Sequence, residues 1–201
     1  MKNFLKKRWP WLLALTALIA ALIFLLAQYY GKDADRPTLT VETPQKLSKT
    51  QTTEFILDVT IPNLGDALYP AMSMSIAFDA SRLEFLGVEE GNVFVYDTDN
   101  TTGRQLPEWS YDVASSNASG RINIMYLDLT GGKHAFSKAL LAEEENVILR
   151  LRFRLKGSVR VGDVMDLIVE DAVFAASDET QSLAMTRNTL RVRNSKIVIG
   201  E

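Results

Sequence analysis

The stretch MSMSIAFDASRLEFLGV, residues 72–88, decides the fold. Met72, Met74, Ile76 and Phe78 alternate with Ser73, Ser75 and Ala77, the period of two expected of a strand with one buried face. Asp79-Ala80-Ser81 breaks the alternation with turn-prone residues, and a second apolar run, Leu83 to Val88, follows. The stretch reads as strand, tight corner and strand. Its first strand pairs a bulky inner face with a nearly featureless outer one.

The 201 residues leave room for one domain plus a tail or anchor, and a composition that is 47% apolar and 23% charged supports a packed core. Charge is unevenly spread. Lys2, Lys6, Lys7 and Arg8 all precede the first acid, Asp33, so residues 31–201 set 18 basic against 25 acidic side chains, a net of −7. An acidic globular part argues against a nucleic-acid partner. Cysteine is absent, which excludes disulfides and thiolate metal sites and fits a bacterial envelope protein that does not rely on oxidative folding.

Residues 11–27 form an apolar run broken only by Thr16. As a helix it would span roughly 25 Å, close to the hydrocarbon thickness of a bilayer. Trp9 and Trp11 flank one end and Tyr29 and Tyr30 the other, as in interfacial aromatic belts; the basic residues lie on the N-terminal side. The sequence therefore predicts a cytoplasmic N-terminus over 1–10, a transmembrane signal-anchor helix over 11–30, a linker over 31–37 and an extracytoplasmic domain over 38–201. A cleaved signal peptide would share the orientation, but Leu25 before Ala27 and the bulky Tyr29 and Tyr30 after it make a poor cleavage signature.

From Thr38 onward no long helical period appears. Alternating runs at 39–42, 54–61, 72–78, 83–88, 93–96, 122–127, 147–155, 164–175 and 190–199 are separated by turn clusters, predicting a nine-stranded antiparallel sandwich. Residues 135–145 suit a helical turn or short helix. In 147–155, Arg150, Arg152 and Arg154 alternate with Leu149, Leu151, Phe153 and Leu155; in 54–61, Glu54 and Asp58 alternate with Phe55, Leu57, Val59 and Ile61. Arg191 and Arg193 alternate with Leu190 and Val192. An arginine row could bind an anionic polymer, but in an acidic domain cross-strand pairing with the acidic strands is the preferred reading.

Chemistry-bearing motifs are few. His134, the single histidine, follows Gly131-Gly132-Lys133 and reads as a loop residue; the glycines lack the frame of a phosphate loop. Asp97, Asp99, Thr101 and Glu108 stand at the first, third, fifth and twelfth positions of a calcium-type loop, but Gly103 is one place late, Pro107 precedes the glutamate and no helices flank it. A polar inter-strand loop is the default there. Asn100-Thr101-Thr102 and Asn117-Ala118-Ser119 fit the glycosylation sequon. Asp171, Asp178 and Glu179 have no evident opposing acid for glycoside hydrolysis. No nucleophile, base or cofactor motif stands out, so neither an enzyme nor a cofactor is expected.

Residues 38–200 resemble the bacterial cohesin domain, the module that binds dockerins. The likeness is carried by Ile76-Ala77-Phe78-Asp79-Ala80-Ser81-Arg82-Leu83-Glu84-Phe85, by Gly120-Arg121-Ile122-Asn123-Ile124-Met125-Tyr126-Leu127-Asp128, by Val147 to Phe153, and by Val173-Phe174-Ala175. The resemblance implies a nine-stranded jelly roll in which expected strands eight, three, six and five form one sheet. It makes strands seven and two neighbours, as well as one and nine, setting the arginines of 150–154 beside Glu54 and Asp58, and Arg191 and Arg193 beside Glu42. The sequence departs from the family at Ala71 and Ser73, where many dockerin-binding members carry a polar pair. It departs also at Ala80, in place of proline, and at the bulky Leu68-Tyr69-Pro70.

The function so implied is a membrane-anchored protein-binding module for a dockerin-like or other envelope partner. Its docking face would be Ser73, Ser75 and Ala77 with Asn123, Met125 and Leu127, where small side chains allow a partner helix to approach. Two alternatives remain open. One is a carbohydrate-binding module for polysaccharide, for which Tyr69, Tyr96, Trp109 and Tyr111 are the aromatic candidates. The other is a structural subunit of an envelope secretion or pilus-like assembly.

Overall fold

The structure is a computed structural model. It describes residues 15–25, 36–44, 46–50, 53–97, 100–130, 133–143, 145–177 and 184–201, with the backbone alone for those from 96 to 102. The chain divides into two units, Met1–Arg36 and Pro37–Glu201.

In the first unit, residues 15–25 form a helix, α1, that exposes all its side chains, among them Leu18, Ile23, Phe24 and Leu25. The rest of the expected 11–30 span lies outside the described residues. Among the described residues no helix is long and apolar enough to cross a membrane.

The second unit is a β-sandwich. Its described residues hold thirteen strands: β1 (Thr38–Val41), β2 (Leu47–Ser48), β3 (Glu54–Thr60), β4 (Ala71–Ala77), β5 (Leu83–Glu90), β6 (Val95–Asp97), β7 (Asn100–Gln105), β8 (Arg121–Leu127), β9 (His134–Ala135), β10 (Val147–Leu155), β11 (Val164–Ala175), β12 (Arg191–Arg193) and β13 (Ser195–Gly200). One sheet runs β12-β1-β3-β10-β5, the other β2-β13-β11-β4-β8, and β7-β6-β9 form a small third sheet. Alternation drives the packing. Phe55, Leu57 and Val59 from β3 and Leu149, Leu151 and Phe153 from β10 face Met72, Met74 and Ile76 from β4 and Ile122 and Ile124 from β8 across one continuous core. Phe153 anchors one end of it, with ring centroids 5.8 Å from Phe55, 5.5 Å from Phe78 and 5.7 Å from Phe85. A second aromatic chain links Tyr69, Phe174, Phe136, Tyr126 and Trp109.

The corner between β4 and β5 closes as its residues dictate. The Asp79 carboxylate accepts the Ser81 amide at 3.0 Å and the Ser81 hydroxyl at 2.5 Å, and the Asp79 carbonyl accepts the Arg82 and Leu83 amides. The Ser81 hydroxyl, helped by the Ser81 and Arg82 amides and the Arg82 charge, holds the Asp79 carboxyl below its ordinary value against the opposing effect of burial.

Several expectations need correction. The sandwich is not wholly antiparallel: β1 pairs with β12, and β13 with β2, in parallel. The ninth expected strand is two, since Asn194 interrupts it and sends β12 to one sheet and β13 to the other. The Asn194 side chain accepts the Val169 amide at 2.9 Å, fixing that switch. The fifth expected strand does not extend β8. It becomes β6, bound to β7 and β9, and β8 is instead met at one point by the Ser110–Met125 bridge. The expected turn in 135–145 is a 3-10 helix, Lys138–Leu140.

One helix was not expected: α2 (Val113–Ser119), opened by Asp112, whose side chain accepts the Ser115 amide, and closed by Gly120 at φ 68°. That left-handed conformation suits glycine. Helix α2 lies against the free edge of β5. There the Asn117 side chain takes the place of a neighbouring strand, donating to the Phe85 carbonyl and accepting the Phe85 amide, both at 2.8 Å. Its amide nitrogen also donates to Val113 O at 3.0 Å. Asn117 is therefore a structural residue, and the sequon it heads reads as coincidence. Asn100 is described in its backbone alone.

Candidate functional site

The two sheets present very different outer faces. On the first, β10 pairs with β3 in the register Arg150↔Asp58 and Arg154↔Glu54. Arg150 reaches Asp58 at 3.1 Å, Arg152 reaches Glu54 at 3.3 Å and Glu89 at 3.2 Å, and Arg154 reaches Glu54 at 2.6 Å and Glu84 at 3.1 Å. Arg154, then Arg152, hold the Glu54 carboxyl below its ordinary value. The cross-strand pairing expected of these rows is therefore present, with β5 as a third participant. It does not extend to Glu42. Arg191 and Arg193 stand opposite Thr38 and Thr40, and Glu42 accepts the Thr60 hydroxyl at 3.2 Å.

The second face is small-residued and apolar. β4 and β8 pair as Ala71↔Leu127, Ser73↔Met125, Ser75↔Asn123 and Ala77↔Arg121. Every second residue of β8 is exposed, so Asn123, Met125 and Leu127 point outward alongside Ser73, Ser75 and Ala77. The expected site residues thus lie together on one surface. Ser75 donates to Asn123 Oδ1 at 2.9 Å, and Met125 and Leu127 are 47% and 51% exposed.

β11 widens this surface with residues the sequence did not single out. It pairs with β4 as Ile168↔Ala77, Asp171↔Ser75, Val173↔Ser73 and Ala175↔Ala71. A register shift between Val169 and Asp171 inverts the alternation, so exposed positions are Val164, Asp166 and Ile168 before it and Asp171 and Ala175 after it. A bulge of this kind leaves no mark in the period-two pattern. Charges on the surface are mostly paired. Arg121 meets Glu170 at 2.8 Å, Arg187 meets Asp171 at 3.5 Å and Lys196 meets Asp166 at 3.8 Å.

Two shallow depressions flank the Ser110–Met125 bridge. One, of ≈ 700 Å³, is bounded by Ser73, Ser75, Asp112, Asn123, Met125 and Asp171 among others. The other, of ≈ 520 Å³, involves Glu108, Met125, Leu127, Asp128, Leu129 and His134. Asp128 closes the loop beyond β8: its carboxylate accepts the Thr130 amide at 2.8 Å, the Thr130 hydroxyl at 2.6 Å and the His134 amide at 3.1 Å. His134 is accordingly no free loop residue. It is half-buried in β9, its Nδ1 3.8 Å from Asp128. Behind them the Tyr126 hydroxyl donates to the His134 carbonyl at 3.1 Å; burial, with lesser effects of Asp128 and Glu108, pushes this phenol up to about 12.

The aromatic candidates for glycan contact do not form a platform. Tyr69 is buried, and its backbone bridges to Phe136. Trp109 stacks on Phe136, while Tyr111 remains exposed beside Phe85. The Tyr96 side chain lies outside the described residues.

The calcium-type stretch is a hairpin rather than an open loop. Asp97 of β6 pairs with Asn100 of β7, Thr101 continues β7 and Glu108 is exposed beyond it; Asp99 lies outside the described residues. Among the described residues no group of three or more His, Cys, Asp or Glu could hold a metal ion. Asp178 and Glu179 also lie outside the described residues.

No protein-family model matches the sequence, and no curated protein sequence does. Solved structures do. The third cohesin of ScaC from Acetivibrio cellulolyticus, solved with the ScaB dockerin, matches with a TM-score of 0.58 at 12% identity, over 82% of this chain and 99% of that one. The sixth cohesin of scaffoldin B from the same organism, also solved with a dockerin, matches with a TM-score of 0.56 at 14% identity, over 82% and 99%. A non-cellulosomal cohesin from the archaeon Archaeoglobus fulgidus matches with a TM-score of 0.53 at 13% identity, over 83% and 92%. The second unit therefore has the fold of cohesin domains.

Proposed function

We propose that this chain is a non-catalytic, membrane-anchored protein-binding module that docks its partner on the outer face of β11, β4 and β8, outside the cytoplasm. The contrast between the two sheets carries the reading. One face is covered by arginine–carboxylate pairs, whose hydration a partner would have to remove at a cost. The other offers Ser73, Ser75 and Ala77 as a low platform beside exposed Met125, Leu127 and Ile168, an apolar surface that an approaching helix can cover. Uptake of Tyr69 and Trp109 into the aromatic core favours a protein partner over a polysaccharide.

Anchoring rests on the apolar run at 11–27, on the four basic residues before it and on the exposed apolar surface of α1. Protease added to spheroplasts that make the full chain should remove the domain; protection until the cytoplasmic membrane is breached would refute the orientation. For the docking face, Ser75→Arg and Ala77→Arg in the full chain should abolish co-purification of the partner while leaving the melting temperature unchanged. Undiminished recovery with both variants would exclude this face.

A further inference from the structure

Carboxylates are distributed very differently on the two faces. Glu54, Asp58, Glu84 and Glu89 are each matched by an arginine on the first sheet. Around Met125 the acids outnumber their partners. The segment carrying Glu108, Ser110 and Asp112 meets the β8 backbone at the Ser110–Met125 bridge, with the Trp109 ring against Tyr126, and a depression opens on each side of the bridge. Among the described residues neither depression is lined by lysine or arginine, and His134 is their one basic residue. Among the described residues Glu108 and Asp112 meet no cationic side chain, the Asp112 carboxylate accepting the Ser115 amide at 2.6 Å. Asp171 shares Arg187 at 3.5 Å, with both ends more than half exposed. Exposed Met125 borders both depressions, and exposed Leu127 and Leu129 line the one that holds Glu108.

We infer that the partner meets this end of the face with a basic amphipathic segment. Its lysine or arginine stems lie over Met125 and Leu127, and their charged heads reach Glu108 on one side and Asp112 and Asp171 on the other. A long basic side chain is the group that satisfies both demands, because it covers apolar surface with its methylenes and delivers charge at its tip. The exposed carboxylates set the sign of the complementary surface and steer its approach. An acidic partner segment would be repelled. The inference rests on the docking face proposed above and specifies the chemistry of what binds there.

A random peptide display library panned on the full chain, held in detergent, tests both. The expected consensus pairs lysine or arginine with apolar residues. Its affinity should weaken as salt rises, fall about three- to tenfold in the double variant Glu108→Gln, Asp112→Asn, and stay unchanged in Glu143→Gln. Asparagine keeps the cap of α2, so that double variant should melt as the parent does. Binders blocked by Ser75→Arg but acidic or neutral in sequence, and indifferent to salt and to the double variant, would overturn this inference and leave the docking face standing. Binders indifferent to Ser75→Arg, or no enrichment at all, would overturn both.

Discussion

Asn117 shows how one side chain can stand in for a strand: it pairs with both backbone groups of Phe85 at the edge of β5. Asn117→Ala should cost about 1–3 kcal/mol in urea unfolding, because it strands a donor and an acceptor in a part-buried place. A loss within error would mean that water replaces the amide there. Asp79 gives a second prediction. Its carboxyl is held low in the fold, chiefly by the Ser81 hydroxyl, so the folded chain binds fewer protons than the unfolded one in acid. Stability from this group is present near neutrality and is lost as pH falls through and below about 4. Asp79→Asn keeps the turn acceptor and should flatten the melting temperature's decline below that pH. Tyr126 works in the alkaline direction. With its phenol raised to about 12, its contribution holds below about pH 10 and is lost as pH climbs further, so absorbance at 295 nm should show a late tyrosinate step that coincides with unfolding.

Among the elements, β4 and its corner were the most legible, because a strict alternation followed by Asp-Ala-Ser admits few other structures. The arginine rows were legible for the same reason: a period-two row of one sign beside an apolar face demands a counter-row, and β3 supplies it. Three things were hidden. Helix α2 is built from VASSNAS, seven residues without an apolar stripe, and its only sequence marks are the capping Asp112 and Gly120. The bulge in β11 inverts which residues face outward without changing the composition. The diversion of β6 depends on pairing with β7 and β9, whose short runs carry almost no periodic signal. The elements also predict where strength lies. Phe153, at the centre of three ring contacts and fully buried, should cost about 3–5 kcal/mol on truncation to alanine. Arg154→Ala, by contrast, removes exposed pairs with Glu54 and Glu84, and its smaller effect should shrink further at high salt.

At the scale of the whole molecule, the sandwich keeps two outer surfaces in different chemical states. The first pairs its charges sheet neighbour against sheet neighbour; the second sets small side chains and exposed Met125 and Leu127 beside Glu108 and Asp112, which meet no cationic side chain among the described residues. The site residues expected from the sequence lie together because β4 and β8 pair without a register shift, so their exposed positions stay aligned along the whole contact. What the sequence could not convey is the contribution of β11 and of the 108–112 segment, both set by tertiary pairing. Photo-crosslinking of the full chain in the cells that make it tests the account most directly, with the reactive amino acid placed at Ser75 or Met125 on one face and at Ile56 or Val192 on the other. The account predicts protein adducts from Ser75 and Met125 and none from Ile56 and Val192. Adducts from the arginine-covered face alone, or equally from both, would contradict it.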